Sequence, residues 1–362
     1  MSKILEDINK RVGEVKTGNF DMTFGEIISL HTNKELIISP EYQRLFRWSE
    51  AQKSRLIESI LLELPIPQIF LVEDENGVME LIDGLQRISS LIQFVNSTLI
   101  NKDPLRLDGC DIIKSLNGVV FNDIPLKLQL RIKRSSVRAV IIKSESEKFL
   151  KYEMFKRLNT GGENLAPQEI RNCSSRMVGE SGEEFYNFLQ GCAKKKNFKL
   201  CIDRMSDNIK EMKGDEELVL RFFALKNSPA TFKGSVRDWL DQYMEDVLKS
   251  NVPFDYTEEE KSFEEVFEFL STTFSNSAFN RYKNGEAFGA LAPAYFEAVT
   301  MGVKDIIPEL KEIEIENIRN QVVKIFVRTA FLRNVGPGAS SKSKMLARIK
   351  AVKDGLKELI DK

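Results

Sequence analysis

Val78-Met79-Glu80-Leu81-Ile82-Asp83-Gly84-Leu85-Gln86-Arg87 joins an apolar run to an amphipathic one. Val78 to Ile82 reads as a strand, entered through the turn formers Glu75-Asn76-Gly77. Gln86 to Asn96 reads as a helix, with Ile88, Leu91, Ile92 and Val95 on one face. An acid, a glycine, an amide and a guanidinium thus share one strand-to-helix junction. Such a junction presents free backbone N–H groups at the positive end of the helix dipole and suits a phosphate or carboxylate. Arg87 adds a planar, permanently charged fork for phosphate oxygens. Asp83 is a candidate for holding a metal or a water. A plain turn, with Asp83 as cap and Arg87 at the surface, would use the same residues.

Outward from this junction, residues up to about 170 alternate short strands and helices. Leu36-Ile37-Ile38 is a short strand candidate. Ser49-Glu50-Ala51-Gln52 has capping-box spacing, and the helix it opens carries Leu56, Ile57, Ile60, Leu61 and Leu64 on an apolar face. Pro65-Ile66-Pro67 ends that helix, because neither proline continues it. Gln68 to Val72 is the next strand, and Val137 to Ile142 is a β-branched run suited to a buried one. A helix over 147–158 and a loop of turn formers, Asn159-Thr160-Gly161-Gly162-Glu163-Asn164, lead to a helix near Ala166-Pro167.

Beyond about residue 180 the spacing is helical throughout, over 218–225, 236–247, 263–274 and 315–332, with a last basic helix from Lys342 to Ile360. The expected architecture is α+β. An N-terminal α+β domain over 1–180 precedes an all-helical domain over 181–362, and the boundary falls near 175–190.

Composition narrows the chemistry. With 362 residues and a net charge of -1, the chain is long enough for two cores and is not a uniformly basic coating protein. No apolar run approaches the ~20 residues of a membrane span, and the first residues lack a signal-peptide core, so the expected location is the cytoplasm. The four cysteines form no Cys-x-x-Cys and read as reduced, packed thiols. A single histidine, His31, excludes a histidine-rich zinc site and any nuclease centre needing two or three. His31 itself reads as a loop or helix-end residue. No Gly-x-x-x-x-Gly-Lys-Ser/Thr loop and no Gly-x-Gly-x-x-Gly occurs.

Two more polar clusters interrupt the apolar pattern. In Pro40-Glu41-Tyr42-Gln43-Arg44-Leu45-Phe46-Arg47-Trp48, Arg44 and Arg47 alternate with aromatics that could stack a base or anchor the core. In Phe155-Lys156-Arg157-Leu158-Asn159-Thr160-Gly161-Gly162, the glycines let a ligand approach the backbone, and Gln168 and Glu169 follow in the next helix. Three junctions carrying Gln/Arg, Asp/Gln/Arg and Arg/Asn/Gly/Gly are how a nucleotide phosphate site is assembled.

The order of these motifs resembles the N-terminal domain of GmrSD-type, modification-dependent restriction systems, a branch of the ParB-like superfamily. The Pro-x-x-Gln-Arg-x-aromatic-x-Trp segment is matched by Pro40, Gln43, Arg44, Phe46 and Trp48. The Leu-Ile-x-Ser-Ile helix ending in Pro-Ile-Pro is matched from Leu56 to Pro67. The Asp-Gly-Gln-Gln-Arg hallmark is matched by Asp83, Gly84, Gln86 and Arg87, with Leu85 in place of the first amide. The Phe-x-Arg-Leu-Asn-Thr-Gly-Gly segment followed by Gln-Glu is matched from Phe155 to Glu169.

The resemblance covers about residues 20–230. It implies a ParB/sulfiredoxin-like fold that binds a nucleoside triphosphate, GTP or another, with Mg²⁺. Catalytic roles then fall to Asp83, Gln86 and Arg87. The nucleotide contacts fall to Gln43, Arg44, Arg47, Gly84, Arg157, Asn159, Thr160, Gly161 and Gly162, and the metal ligands are Asp83 and Glu169. Members of the restriction branch couple nucleotide hydrolysis to DNA cleavage by a His-Asn-His nuclease domain or a separate nuclease subunit. One histidine leaves no such centre here, so this chain would be the nucleotide-handling part, with DNA as a partner and a homodimer as one assembly. The resemblance also leaves open a switch that binds nucleotide without turnover and clamps DNA or a protein, with Lys344, Arg348, Lys350 and Lys353 as its contact surface. A sulfiredoxin-like activity needs a cysteine at the phosphate-binding turn, and none lies between Met1 and Leu107.

Overall fold

The computed structural model describes residues 2–11, 16–38, 48–146, 152–154, 156–157, 166–176, 178–283, 285–336 and 338–361. The chain divides into two compact units, Met1–Asn164 and Leu165–Lys362.

The first unit is mixed α/β. Its strands are β1 (Thr17–Thr23), β2 (Leu36–Ile37), β3 (Ile69–Glu73), β4 (Met79–Asp83) and β5 (Ser136–Ile142). They form one sheet in the order β1-β5-β3-β4-β2. Outer pairs and inner pairs alternate in sense: β1 and β5 are antiparallel, β5 and β3 parallel, β3 and β4 antiparallel, β4 and β2 parallel. Strands β3, β4 and β5 lie within a residue of their sequence-predicted limits.

The helices are α1 (Ser2–Arg11), α2 (Phe24–Thr32), α3 (Glu50–Leu61), α4 (Leu85–Asn96) and α5 (Leu126–Arg134). Helix α3 starts at the capping box expected from its sequence: Gln52 N–H donates to Ser49 Oγ (3.3 Å) and Ser49 N–H to Gln52 Oε1 (2.9 Å). Leu56, Ile57, Ile60 and Leu61 enter the core with Ile69, Leu71, Leu81, Ile88, Leu91 and Ile92. Leu64 does not join them. The helix stops at Leu61, Glu63 takes a positive φ of 59°, and Leu64 turns out to 45% exposure. Buried Glu58 accepts the backbone N–H groups of Asp111, Ile112 and Ile113, so one carboxylate fixes the long connection after α4. His31 sits in the last turn of α2 with Nδ1 3.0 Å from the Leu36 carbonyl, the helix-end position expected of it.

The second unit is helical. Its main helices are α6 (Pro167–Arg176), α7 (Glu180–Lys194), α8 (Gly214–Asn227), α9 (Val236–Leu248), α10 (Tyr256–Phe274), α11 (Pro293–Val303), α12 (Ile315–Val327), α13 (Thr329–Val335) and α14 (Lys342–Ile360). A short hairpin, β6 (Arg281–Lys283) and β7 (Glu286–Phe288), interrupts them. The core is dense in phenylalanine, with Phe198, Phe222, Phe223, Phe263 and Phe267 in mutual edge, tilted and stacked contacts.

Three sequence expectations change here. Helix α6 belongs to this unit: buried Arg171 on α6 donates to Asp241 Oδ1 on α9 (2.7 Å) and to Glu217 Oε2 on α8 (3.2 Å), so the units divide at 164/165 rather than at 180. The single helix expected over 315–332 breaks at Arg328, whose ψ of 133° is extended. The break brings Phe331 onto Phe326 and Tyr295 in the core. Of the four cations expected at the surface of the basic C-terminal helix, Arg348 is inside, while Lys350 stays 74% exposed. Arg348 is buried against Glu297 and the carbonyls of Asn334 and Ala339, while Lys350 pairs with Asp354 and Lys353 with Asp305.

Candidate functional site

Asp83 ends β4, and its place is set by a bulge. Phe70 pairs with Asp83 but Leu71 pairs with Leu81, so Ile82 is one residue more than β3 can match. Such an insertion bends a strand and re-aims its last side chain. Gly84 follows with φ 97° and ψ 10°, a left-handed conformation that L side chains rarely adopt. A Cβ there would stand 2.5 Å from Ile69 Cγ2 and 3.2 Å from Arg87 Nη2. Glycine is therefore required twice, by backbone sign and by the closeness of the neighbouring strand.

Gly84 also caps α4 without any side-chain hydrogen bond, and the first turn of the helix contains no acid. Its N-terminal N–H groups keep their positive potential for something other than a side-chain cap. Arg87 lies in this same first turn, the wrong end of a dipole for a cation. It is held there by two acceptors: Nη2 donates to Asp83 Oδ2 (3.0 Å) and to the Gln68 carbonyl (3.1 Å). Its Nε is buried and has no hydrogen-bond partner among the described residues. A buried guanidinium nitrogen with an unfilled donor costs about 1–3 kcal/mol or more. An anion's oxygen arriving at the junction would relieve that cost. The Asp83 carboxylate remains 37% exposed beside it, against 17% for the Arg87 side chain.

Gln86 makes a contact across the fold. Its Oε1 accepts the Trp48 N–H at 3.3 Å, and Trp48 packs against the core. The end of the Pro40–Trp48 motif is thus tied to the first turn of α4, joining two of the three polar clusters. Sequence spacing could have paired Asp83 with Arg87, which stand four residues apart. The Gln68 carbonyl, the Trp48 N–H and the bulge carry no local signal.

The third cluster is divided. Arg157 is 81% exposed and lies 3.5 Å from Glu153 Oε2. Glu169 belongs to the helical unit, where its buried carboxylate accepts the Ala166 N–H at 2.7 Å and caps α6. Gln168 accepts from Arg171 Nη1 at 3.0 Å and donates to Asn172 at 2.9 Å. Gln43, Arg44 and Arg47, and likewise Asn159, Thr160, Gly161 and Gly162, lie outside the described residues. Among the described residues no group of three or more His, Cys, Asp or Glu side chains could hold a metal ion. Asp83, 37% exposed at the junction, could contribute one carboxylate, a donor set that suits Mg²⁺ shared with a phosphate rather than a metal caged by protein.

Among the described residues no helix is long and apolar enough to cross a membrane. Comparison with curated proteins and with solved structures finds no match. Residues 24–175 match the family described as GmrSD restriction endonuclease, N-terminal domain, a stretch that runs from the start of α2 through the Asp83–Arg87 junction to the end of α6. Over this stretch the chain is similar to a GmrSD-type N-terminal domain.

Proposed function

We propose that the first unit is a ParB-like domain that binds a nucleoside triphosphate at the Asp83–Arg87 junction and hydrolyses it, as the nucleotide-handling part of a DNA restriction system. The observation that carries this reading is Arg87: a cation in the first turn of an uncapped helix, with a buried, unbonded Nε, beside a glycine that allows close approach. Gly84 and the first N–H groups of α4 cradle a phosphate. Arg87 neutralises charge that develops on the γ-phosphate, assisted by Arg44, Arg47 and Arg157. Gln43 and the Asn159-Thr160-Gly161-Gly162 loop complete the nucleotide contacts. Asp83 would hold Mg²⁺, and the metal, when bound, would supply further charge neutralisation on the phosphates. Gln86 orients the attacking water. Water attacks the γ-phosphorus, the bond to the β–γ bridging oxygen breaks, and nucleoside diphosphate and phosphate leave with the water proton on the products.

A second reading rests on the ion pair itself. Asp83 Oδ2 is already engaged by Arg87, which favours a ParB-like switch that binds nucleotide without turnover and clamps DNA or a protein.

Phosphate release from each NTP and dNTP with Mg²⁺, with and without duplex DNA, separates the two. Under the hydrolysis reading one nucleotide turns over, and Asp83→Ala and Asp83→Asn each lower the rate by about 10²-fold or more. The asparagine retains an acceptor for Arg87 and so guards against loss of the local fold. Wild-type turnover in both variants would overturn the site. No turnover, but thermal stabilisation by one nucleotide, would establish the switch.

A further inference from the structure

Helix α5 carries Lys127, Arg131, Lys133 and Arg134 and no acid. Basic residues in the last turn complement the helix dipole and need no further account. Lys127 does, because it stands in the first turn, where a cation is disfavoured. Lys127, Leu130, Arg131 and Arg134 have the i, i+3, i+4, i+7 spacing of one helical stripe. That stripe walls a cleft of about 550 Å³ whose other side is the turn after α3, with Leu64 and Ile66.

The cleft is built, in part, before anything binds. Arg131 Nη1 donates to the Leu61 carbonyl (3.3 Å) and Nε lies 3.6 Å from Glu63, which fixes the guanidinium on the wall. Among the described residues no carboxylate pairs with Lys127 or Arg134. Leu64, 45% exposed, is left at the rim where α3 ends, so the cleft joins apolar side chains to a cationic wall whose one lining carboxylate, Glu63, is paired with Arg131. A nucleic-acid backbone would use the cations and leave Leu64, Ile66 and Leu130 unsatisfied. A segment that is both acidic and apolar uses both.

We propose that this cleft docks an acidic amphipathic helix of a partner protein. The stripe spans about 10 Å, two helical turns, so the partner presents carboxylates at i, i+4 and i+7 flanking apolar anchors that seat on Leu64, Ile66 and Leu130. The surface is separate from the Asp83–Arg87 junction and does not depend on how that junction uses nucleotide.

The test is fluorescence anisotropy of the full chain with a labelled 18-residue helical peptide, Leu at i, i+3 and i+7 and Glu at the flanking positions. The expected result is binding that weakens at least tenfold in the double variant Lys127→Glu/Arg134→Glu. Asp83→Ala and excess duplex DNA should leave it unchanged. Both exposed positions tolerate charge reversal, and an unaltered melting curve confirms it. No binding, equal binding to the double variant, equal binding of a Glu→Lys peptide, or displacement by DNA would each overturn the proposal; displacement would reassign the cleft to nucleic acid.

Discussion

Replacing Gly84 by alanine tests whether the junction is built as described. Two costs add. Alanine at φ 97° pays roughly 1–2 kcal/mol for the left-handed backbone. Its methyl would also overlap Ile69, at 2.5 Å from Cγ2 and 3.1 Å from Cβ, and Ile69 is fully buried with no room to retreat. Overpacking of this kind costs about 1–3 kcal/mol, for a total of about 2–5 kcal/mol. Gly77→Ala is the internal control. Its φ of 80° carries the backbone cost, but nothing lies within 4 Å of the added Cβ. The assay is urea unfolding followed by Trp48, which packs against the first unit's core, in a Trp239→Phe background that silences the helical unit. With a slope near 2 kcal/mol/M, Gly84→Ala should lower the midpoint by about 1–2.5 M and Gly77→Ala by about half that or less. Ile69→Ala should shrink the Gly84→Ala penalty by about 1 kcal/mol or more, as expected for residues in contact. Equal midpoints for the two glycine variants would refute the close-approach argument.

Two further predictions concern the helical unit and the thiols. Glu297 is buried between Arg221 and Arg348, so Glu297→Ala leaves two buried cations without their shared acid and should cost about 3–5 kcal/mol, read by urea unfolding through Trp239; a loss under about 1 kcal/mol would mean the triad is not desolvated as drawn. Burial raises the thiol pKa of Cys110 to about 11 and of Cys192 and Cys201 to about 12. Since only the thiolate reacts, these three should resist an aromatic disulfide reagent at pH 8 until urea unfolds the chain, and prompt labelling of the native protein would contradict their burial.

Much of the first unit was legible because its elements carry local signals. The Ser49–Gln52 box, the β-branched run before Ile142 and the Asp83–Gly84 turn are each decided by adjacent residues. Strand β1 was not legible. Of Thr17-Gly18-Asn19-Phe20-Asp21-Met22-Thr23 only Met22 is buried, because an edge strand held by one antiparallel neighbour needs no alternating apolar face. Helix α5 misleads more directly. Leu126, Leu128, Leu130 and Ile132 alternate with polar residues as a strand would, yet only Ile132 is buried and Leu126 is 68% exposed. Its alternation is a consequence of leaving leucines on the outside, one of them in the basic cleft.

The candidate site shows the same division between near and distant causes. Residue types at the junction follow from its own spacing: glycine for the sign of φ, an acid and an arginine four apart. What makes the junction distinctive is supplied from elsewhere in the chain. The Gln68 carbonyl takes half of Arg87's bonding, Ile69 forbids any side chain at position 84, and Trp48 occupies the Gln86 amide oxygen. These contacts leave Arg87 with one face saturated and Nε unbonded at an uncapped helix start. A protein selected for stability alone would place an acid or a serine at the start of α4 and move the arginine to its end. Keeping the opposite arrangement makes sense when a polyanion completes it, which is why we propose the junction, rather than the more extensively bonded Arg171 or Arg348, as the place where a nucleotide would bind.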